Sequence, residues 1–505
     1  MLGLRTLSVI QKAIDHIEEI EDIDDLYAQA DLSDEKVWKF ISNKQTEGVF
    51  QIESNMMRGL IDEIQPTEFN DLIAINSLGR PGPLGANMPQ DYAACKNGKK
   101  SVTYPIRGCE DILDETYGVI PYQEQIMAIS KRIAGFDDMQ ADSLTRKTIA
   151  KKKIAMMPML IRCHIFGKRN CEGSAGWEND MHAPWYDPEG KYGGEIEGAV
   201  HRGYTEEEVL AYFKTIEKFS SYCFNKSHAA CYAYISFLTA WLKFYYPTEF
   251  MAALLSMQEE AEDIAMYVKV CEQKLHIKVA TPDINISETD FTPSNGEILY
   301  GLGSVKGVGE KAIPEILAAR PFANVEDAVN KIPKKAFNKR IAENLIKAGA
   351  FDFENGNRLA LLNELHEVRK DKGIEPYVTE AFGEDLVIEM ETETLGAPIT
   401  YKPWWDTVPE GKRMTVRGTI RATNERKDKR GRLMAFPELK INKCIVNGLI
   451  FASSYAKCAI DVDEHYLQQA EYEFEFTGRK DDKGKFILDS IKSVKIEEGY
   501  EDMAG

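Results

Sequence analysis

The chain has 505 residues, enough for roughly three or four domains, and 44% hydrophobic with 28% charged residues is an ordinary globular composition. A net charge of −19 excludes a general nucleic-acid coat and leaves a polyanion only local basic strips to bind. No apolar run is long enough for a confident membrane span, the acidic start carries no secretory signature, and nine scattered cysteines suit reduced thiols in a cytoplasm.

Residues 1–75 read as helices joined by acidic turns, with a strand at GVFQIES (48–54). SLGRPGPLG (77–85) reads as a rigid Gly/Pro loop presenting Arg80. YQEQIMAISKRIAGF (122–136) reads as an amphipathic helix with Ile126, Ile129 and Ile133 on one face and Lys131 and Arg132 away from it. It leads into a basic strip, TRKTIAKKK (145–153). Residues 163–205 read as irregular; Cys163, His164, Cys171, His182 and His201 have no paired zinc-ligand spacing, so no zinc is expected.

YCFNKSHAACYAY (222–234) opens an apolar helix that ends at Pro247, and an apolar helix of this kind is buried. Asn225 or Ser227 is a suitable N-cap. Lys226 and His228 then stand at the positive helix end, where orphan N–H groups favour an anion such as phosphate. A capped core helix with no ligand is the competing reading.

Further along, GEILYGL (296–302) reads as a strand before GSVKGVGEKAIPEIL (303–317). Gly307 and Gly309 permit a tight hairpin flanked by helical sequence, the helix-hairpin-helix arrangement that holds a DNA phosphate on backbone amides, with Lys306 and Lys311 beside it. NKRIAENLIKAGAFD (338–352) resembles a second, degenerate copy, and KIPKKAFNKR (331–340) supplies another basic strip. The last hundred residues read as three strands, a helix and two strands, the order of an OB-fold barrel. Its basic loop, NERKDKRGR (424–432), places Arg426, Lys427, Lys429 and Arg430 where such barrels touch single strands, with Phe436, Phe451 and Tyr455 as stacking candidates.

Taken in order, LGLRTL (2–7), GVFQIES, RPGPL (80–84), TYGVIPYQEQIM (116–127), LTRKTIAKKK (144–153), FNKSHAACYAY (224–234), LKFYYPTEFMAALL (242–255), YGLGSVKGVGE (300–310) and LIKAGAFD (345–352) resemble the alpha subunit of bacterial DNA polymerase III, the C-family replicative polymerases. The resemblance covers nearly the whole chain. It implies a multidomain protein, mainly α through the fingers with tandem helix-hairpin-helix motifs, followed by an all-β OB barrel. The implied regions are the end of the palm and start of the fingers (1–75), nucleotide-binding fingers (76–290), a helix-hairpin-helix region (291–370), a linker (371–410) and the OB domain (411–498).

By the same resemblance Arg80, Arg146, Lys147, Lys151, Lys152 and Lys226 contact the triphosphate of the incoming nucleotide, and Asn225, Ser227 and His228 shape that site. Preorganised cations of this kind stabilise charge developing on leaving pyrophosphate. Tyr117, Tyr122 and Gln123 fall near nucleotide or template. LTRKTIAKKK is one residue longer than the family pattern, so assignments within 145–153 can slip by one. The family holds Mg2+ with three palm aspartates, one of which would fall immediately before Met1; EDIDD (21–25), FDF (351–353) and DVD (461–463) do not replace them. The implied partners are primer-template DNA, a dNTP and a second chain carrying the nuclease-like domain, thumb and palm, with no membrane. A sliding clamp stays open as a further partner, because VTEAFGE (378–384) keeps only Phe382 of a clamp-binding pattern. The alternative is a non-catalytic DNA-binding scaffold descended from a polymerase.

Overall fold

In the computed structural model the apolar segment after Asn225 is one helix, Lys226–Tyr245, with Asn225 as its N-cap and Pro247 opening the next helix, Pro247–Ser256. The structure describes residues 2–150, 156–170, 182–187, 189–219, 223–371, 373–441, 444–458, 472–481 and 484–495. They fall into two compact units, 1–257 and 258–505. Among them no helix is long and apolar enough to cross a membrane.

In the first unit the helix Lys226–Tyr245 is the axis, buried over Ser236–Lys243. Phe237 packs on Trp38 at 5.0 Å and Phe244 on Phe40 at 5.5 Å, both from the helix Glu35–Ser42. A fully buried side chain such as Phe237 contributes about 1.5–3 kcal/mol. The one charge in the run, Lys243, is buried; its ammonium donates to the carbonyls of Gln45 (3.0 Å) and Glu47 (2.8 Å) and sits 3.6 Å from the Glu47 carboxylate.

That anchoring corrects the strand expected at 48–54. The segment is a series of turns with Gly48 and Gln51 at positive φ. Its polar groups are spent on side chains, since Phe50 N–H donates to Thr239 Oγ1 (3.2 Å) and Thr46 Oγ1 donates to the Ile52 carbonyl (2.9 Å), which leaves no ladder to pair. The loop expected at 77–85 is also shorter than read. The helix Phe69–Leu78 runs into it, and Pro81 starts the short helix Pro81–Gly85 with Arg80 at its N-cap.

The expected amphipathic helix is Gln123–Ala134, with Ile126, Ile129 and Ile133 buried and Gly135 in the left-handed region at its end. The segment expected to be irregular, 163–205, starts inside a helix. A π-helical turn, Ala141–Arg146, leads into Lys147–Ala150, and the helix Met157–Phe166 carries Cys163 and His164 into the core. His201 and His182 are exposed, and Cys171, Lys151 and Lys152 lie outside the described residues.

His164 is wedged between the rings of Phe136 (4.4 Å) and Phe213 (4.9 Å), and burial holds its imidazole down to about 4. A histidine in the unfolded chain titrates near pH ~6.5. The unfolded state therefore binds the extra proton between the two values, so the stability from neutral His164 is complete above about pH 6.5 and is lost as pH falls toward 4. The expected loss is about 3 kcal/mol across that window. Urea melts between pH 7 and 5 check it, because a His164→Gln chain should show a distinctly shallower decline than wild type over the range above carboxylate titration.

The second unit opens with the helix Ala261–Val270 and a π-helical turn, Cys271–Leu275, followed by a small three-stranded sheet in which Val279–Ala280 pairs parallel with Glu297–Leu299, itself antiparallel to Thr292–Ser294. The hairpin glycines follow, then the helices Ile313–Ala318, Val325–Lys331, Lys339–Lys347 and Arg358–Arg369. The segment 371–410 holds the helix Glu384–Leu395 and a short turn of helix at Trp404–Thr407.

The barrel is closed, in the order Phe486–Lys495, Cys444–Leu449, Leu433–Ile441, Arg413–Lys427, Tyr472–Lys480 and back. Leu439, Ile441, Phe476, Phe486 and Leu488 fill its core. Three strands precede and two follow a short helical turn at Tyr455–Lys457, as an OB-fold requires. AKCAIDVDEHYLQQA (456–470), whose sequence reads as helical or irregular, lies mostly outside the described residues.

Candidate nucleotide and nucleic-acid sites

Two helix N-termini meet in the first unit. Tyr122 and Phe224 form a parallel bridge, with Gln123 N–H donating to the Phe224 carbonyl (2.9 Å) and Phe224 N–H to the Pro121 carbonyl (2.8 Å). Gln123 Nε2 also donates to the Cys223 carbonyl (3.1 Å). The helices Gln123–Ala134 and Lys226–Tyr245 therefore start side by side. Asn225 caps the second helix, its Oδ1 accepting from His228 N–H (2.8 Å) and from Ser227 Oγ (3.0 Å).

Around this junction the cations converge. The Arg80 guanidinium lies 4.1 Å from the centre of the Phe224 ring, and burial lowers its pKa. The Phe224 ring also meets His228 (5.3 Å), which packs on Tyr232 (4.4 Å). Lys226 Nζ sits 5.5 Å from the ring of buried Tyr122, whose hydroxyl pKa is pushed up mainly by burial. Tyr117, at positive φ, stacks edge-on against Tyr92 (5.2 Å), and the Tyr92 hydroxyl donates to buried Asp71 (3.0 Å).

Three carboxylates that the sequence reading had not included complete the site. Glu115 pairs with Lys226 Nζ at 2.6 Å. Glu124 accepts from Lys226 N–H (2.9 Å) and Asn225 Nδ2 (2.8 Å), so its carboxylate occupies the helix end where an external anion was expected. Asp142 pairs with both Arg146 and Lys147, the latter at 3.3 Å. The Arg146 pKa is raised by its hydrogen bond to Asp142, with Glu124 adding to it, so the 142–147 turn shares the field of the junction. The four described cations are thus nearly balanced, and a polyphosphate entering here competes with internal carboxylates. The i,i+4 spacing of Asp142 and Arg146 was a readable signal. The partners Glu115 and Glu124 gave none, being 111 and 102 residues from Lys226.

The hairpin in the second unit has Lys306, Gly307, Gly309 and Lys311 exposed, with Val308 buried as its anchor. Gly307 has φ +84°, and a Cβ there would lie 2.9 Å from Asn344 Nδ2 and 3.2 Å from Arg340 Nε. Lys306 N–H and C=O are consumed by the Thr394 carbonyl (2.9 Å) and Asn344 Nδ2 (2.5 Å). Arg340, exposed at the start of the second copy's helix, therefore stands against the first copy's glycine. Its place beside the hairpin was not evident from the basic strip alone.

On the barrel, Arg426 and Lys427 belong to the strand, paired with Met434 and Leu433, so the expected loop narrows to 428–432. Asp428 closes this turn by accepting from Arg430 and Arg432 N–H and pairing with the Arg432 guanidinium (2.8 Å). Lys429 and Arg430 are exposed. Phe436 lies between Arg426 (5.9 Å) and Lys485 (6.0 Å), a cation absent from the sequence reading. Phe451 is exposed, whereas the Tyr455 hydroxyl donates to Glu425. Among the described residues no group of three or more His, Cys, Asp or Glu side chains could hold a metal ion.

Residues 6–162 match the bacterial DNA polymerase III alpha subunit finger domain, and residues 276–361 match a helix-hairpin-helix motif. The chain is 33% identical to the DNA polymerase III subunit alpha of Aquifex aeolicus over 495 residues, covering 92% of this chain and 39% of that protein. It is 38% identical over 375 residues to the Campylobacter jejuni subunit alpha, covering 73% of this chain and 28% of that one. The Thermus aquaticus subunit alpha is 37% identical over 374 residues, with 72% and 28% covered. The chain therefore spans well under half the length of the curated relatives it matches.

Proposed function

The chain is a relative of the bacterial DNA polymerase III alpha subunit, corresponding to its C-terminal half, and from that premise we propose that it is the nucleotide- and DNA-binding part of a replicative DNA polymerase. The observation that carries this reading is the convergence of Arg80, Lys226, Gln123 and Asn225 where two helix N-termini meet. There the incoming dNTP places its phosphates against Arg80, Lys226, Arg146 and Lys147. Primer-template DNA runs over the hairpin at Lys306–Lys311 and the barrel turn.

The carboxylates for nucleotidyl transfer, and the Mg2+ they hold, are assigned to a palm-bearing polypeptide acting with these residues. The reading implies a cytoplasmic protein and leaves a sliding clamp as a further partner. Phe382, on which that rests, is half-buried beside the short turn Thr379–Ala381. A non-catalytic scaffold would keep the DNA surfaces without nucleotide binding, and the internal pairing of the cations is compatible with it.

Two titrations of the intact chain separate these readings. A dNTP is expected to bind, competitively with inorganic triphosphate, whereas a scaffold would bind DNA alone. Affinity for labelled primer-template is expected to fall steeply with salt. Neutralising Arg426, Lys427, Lys429 and Arg430 together should reduce the slope of log K against log salt by about 3–4. DNA binding indifferent to salt, or a slope unchanged by the quadruple substitution, would remove the barrel turn from the interface.

A further inference from the structure

Beneath the turn that carries Arg146 and Lys147, three polar side chains from three segments form a buried chain. Thr145 Oγ1 donates to Ser130 Oγ (3.2 Å), and Ser130 Oγ lies 2.8 Å from His164 Nε2. His164 Nδ1 lies 2.8 Å from the Leu160 carbonyl oxygen. All three residues are fully buried. A carbonyl only accepts, so the proton of neutral His164 is assigned to Nδ1; the Ser130 hydroxyl stands within reach of two acceptors, His164 Nε2 and the Ile126 carbonyl (2.9 Å). Ser130 has a single proton, so its oxygen is left to receive Thr145. The chain is anchored on two backbone carbonyls, that of Leu160 in the helix Met157–Phe166 and that of Ile126 in the helix Gln123–Ala134.

The other end of the chain lies in the π-helical turn Ala141–Arg146, immediately before Lys147. A π turn closes its hydrogen bond over one residue more than an α turn, and such turns are rare and concentrate at functional sites. It is the local conformation that absorbs a single extra residue. Two other hydroxyls of this segment, Ser143 Oγ and Thr148 Oγ1, are buried without a hydrogen-bond partner, so Thr145 is the one of the three that ties it to the body of the unit.

We propose that Thr145, Ser130 and His164 are positioning residues: their hydroxyl–hydroxyl–imidazole chain holds the π turn in register and thereby aims Arg146 and Lys147 at the phosphates of the bound nucleotide. The aim of the two cations rests on the nucleotide-binding reading above, whereas the anchoring of the turn does not.

The test compares Thr145→Val, which keeps the shape and removes the hydroxyl, with Thr145→Ser, which keeps the hydroxyl. Both are made in the intact chain. Two readouts are taken: amide hydrogen exchange of peptides covering 141–149, and affinity for a dNTP. Thr145→Val is expected to speed exchange in those peptides about tenfold, with the remainder of the chain and its melting temperature nearly unchanged. It should weaken dNTP binding about tenfold through misplacement of Arg146 and Lys147. Thr145→Ser should restore both. Wild-type exchange in Thr145→Val, or failure of Thr145→Ser to rescue, overturns the anchoring. Faster exchange with unchanged dNTP affinity overturns the aiming. If Lys226→Ala also leaves dNTP affinity unchanged, the nucleotide reading itself has failed, while the exchange data still decide whether the chain holds the turn.

Discussion

Arg358→Ala is expected to destabilise the unit formed by residues 258–505 by about 3–5 kcal/mol. The Arg358 side chain is 1% exposed and its guanidinium is fully engaged. It donates to Asp352 (2.7 Å), to Glu391 Oε1 (2.9 Å) and to the Lys347 carbonyl (2.9 Å). Glu391 is itself fully buried and accepts from the backbone N–H groups of Ile399 (2.6 Å) and Thr400 (2.8 Å). Burial raises the Asp352 pKa, against the lowering effect of Arg358, so desolvation is the larger influence on that carboxyl. Removing the guanidinium leaves a buried carboxylate with its two amide donors and the Thr400 hydroxyl but no cation, and that uncompensated charge is the source of the loss.

The same network connects function to fold. It joins the end of the helix Lys339–Lys347, the helix Arg358–Arg369 and the helix Glu384–Leu395, which together support the hairpin proposed to hold DNA. Gly349, at φ +94°, is where a Cβ would come 2.6 Å from Arg358 Nη2, so a glycine is required for the guanidinium to pass. Lysine lacks the planar fork, and Arg358→Lys should recover only part of the stability. Urea melts followed by tryptophan fluorescence measure the difference, since Trp404 and Trp405 lie in this unit. A loss below about 1 kcal/mol would mean that the buried pairs roughly cancel their own desolvation.

The parts of this molecule that were legible in the sequence are those whose signal is local. The long helix announced itself through an apolar run with a single charge, Lys243, with Asn225 before it and Pro247 after it. The barrel announced itself through alternation, as in the exposed Arg417 and Thr419 set against buried Gly418 and Ile420. GVFQIES was misread because Val49, Phe50 and Ile52 look like a strand, while the groups that satisfy its backbone, Thr239 above all, are far away in sequence. The nucleotide site shows the same division. A cation states its charge by residue type, so Arg80, Arg146 and Lys226 could be named in advance. Whether it is free or already paired depends on residues a hundred positions away, and Glu115 and Glu124 became visible only when the two helix N-termini were seen to meet.

That pairing alters what removing Lys226 should do. Lys226→Ala is expected to weaken dNTP binding about ten- to a hundredfold, the range of one lost charge-assisted hydrogen bond of about 1.5–3 kcal/mol. Two effects of Glu115 modify this in opposite directions. In the unbound chain Lys226 is engaged at 2.6 Å with Glu115, both side chains about one-third exposed, so the nucleotide must displace a partner worth at most about 1 kcal/mol. Once Lys226 is gone, the freed Glu115 carboxylate repels the phosphates. Glu115→Gln alone should therefore tighten dNTP binding several-fold, roughly the value of the surface pair it dissolves. The double variant should lose less than Lys226→Ala loses by itself, because the repulsion is absent, and this non-additivity is the signature of two residues in contact. Lys226 precedes the buried run and its backbone N–H still reaches Glu124, so thermal stability should move little in any of the three chains. A dNTP titration of wild type, both single variants and the double variant at fixed salt yields the complete cycle. If Glu115→Gln weakens binding, the carboxylate orients Lys226 rather than competing for it. If Lys226→Ala leaves affinity unchanged at constant stability, the helix entrance is a capped core helix, and the phosphate contacts must be sought at Arg146 and Lys147.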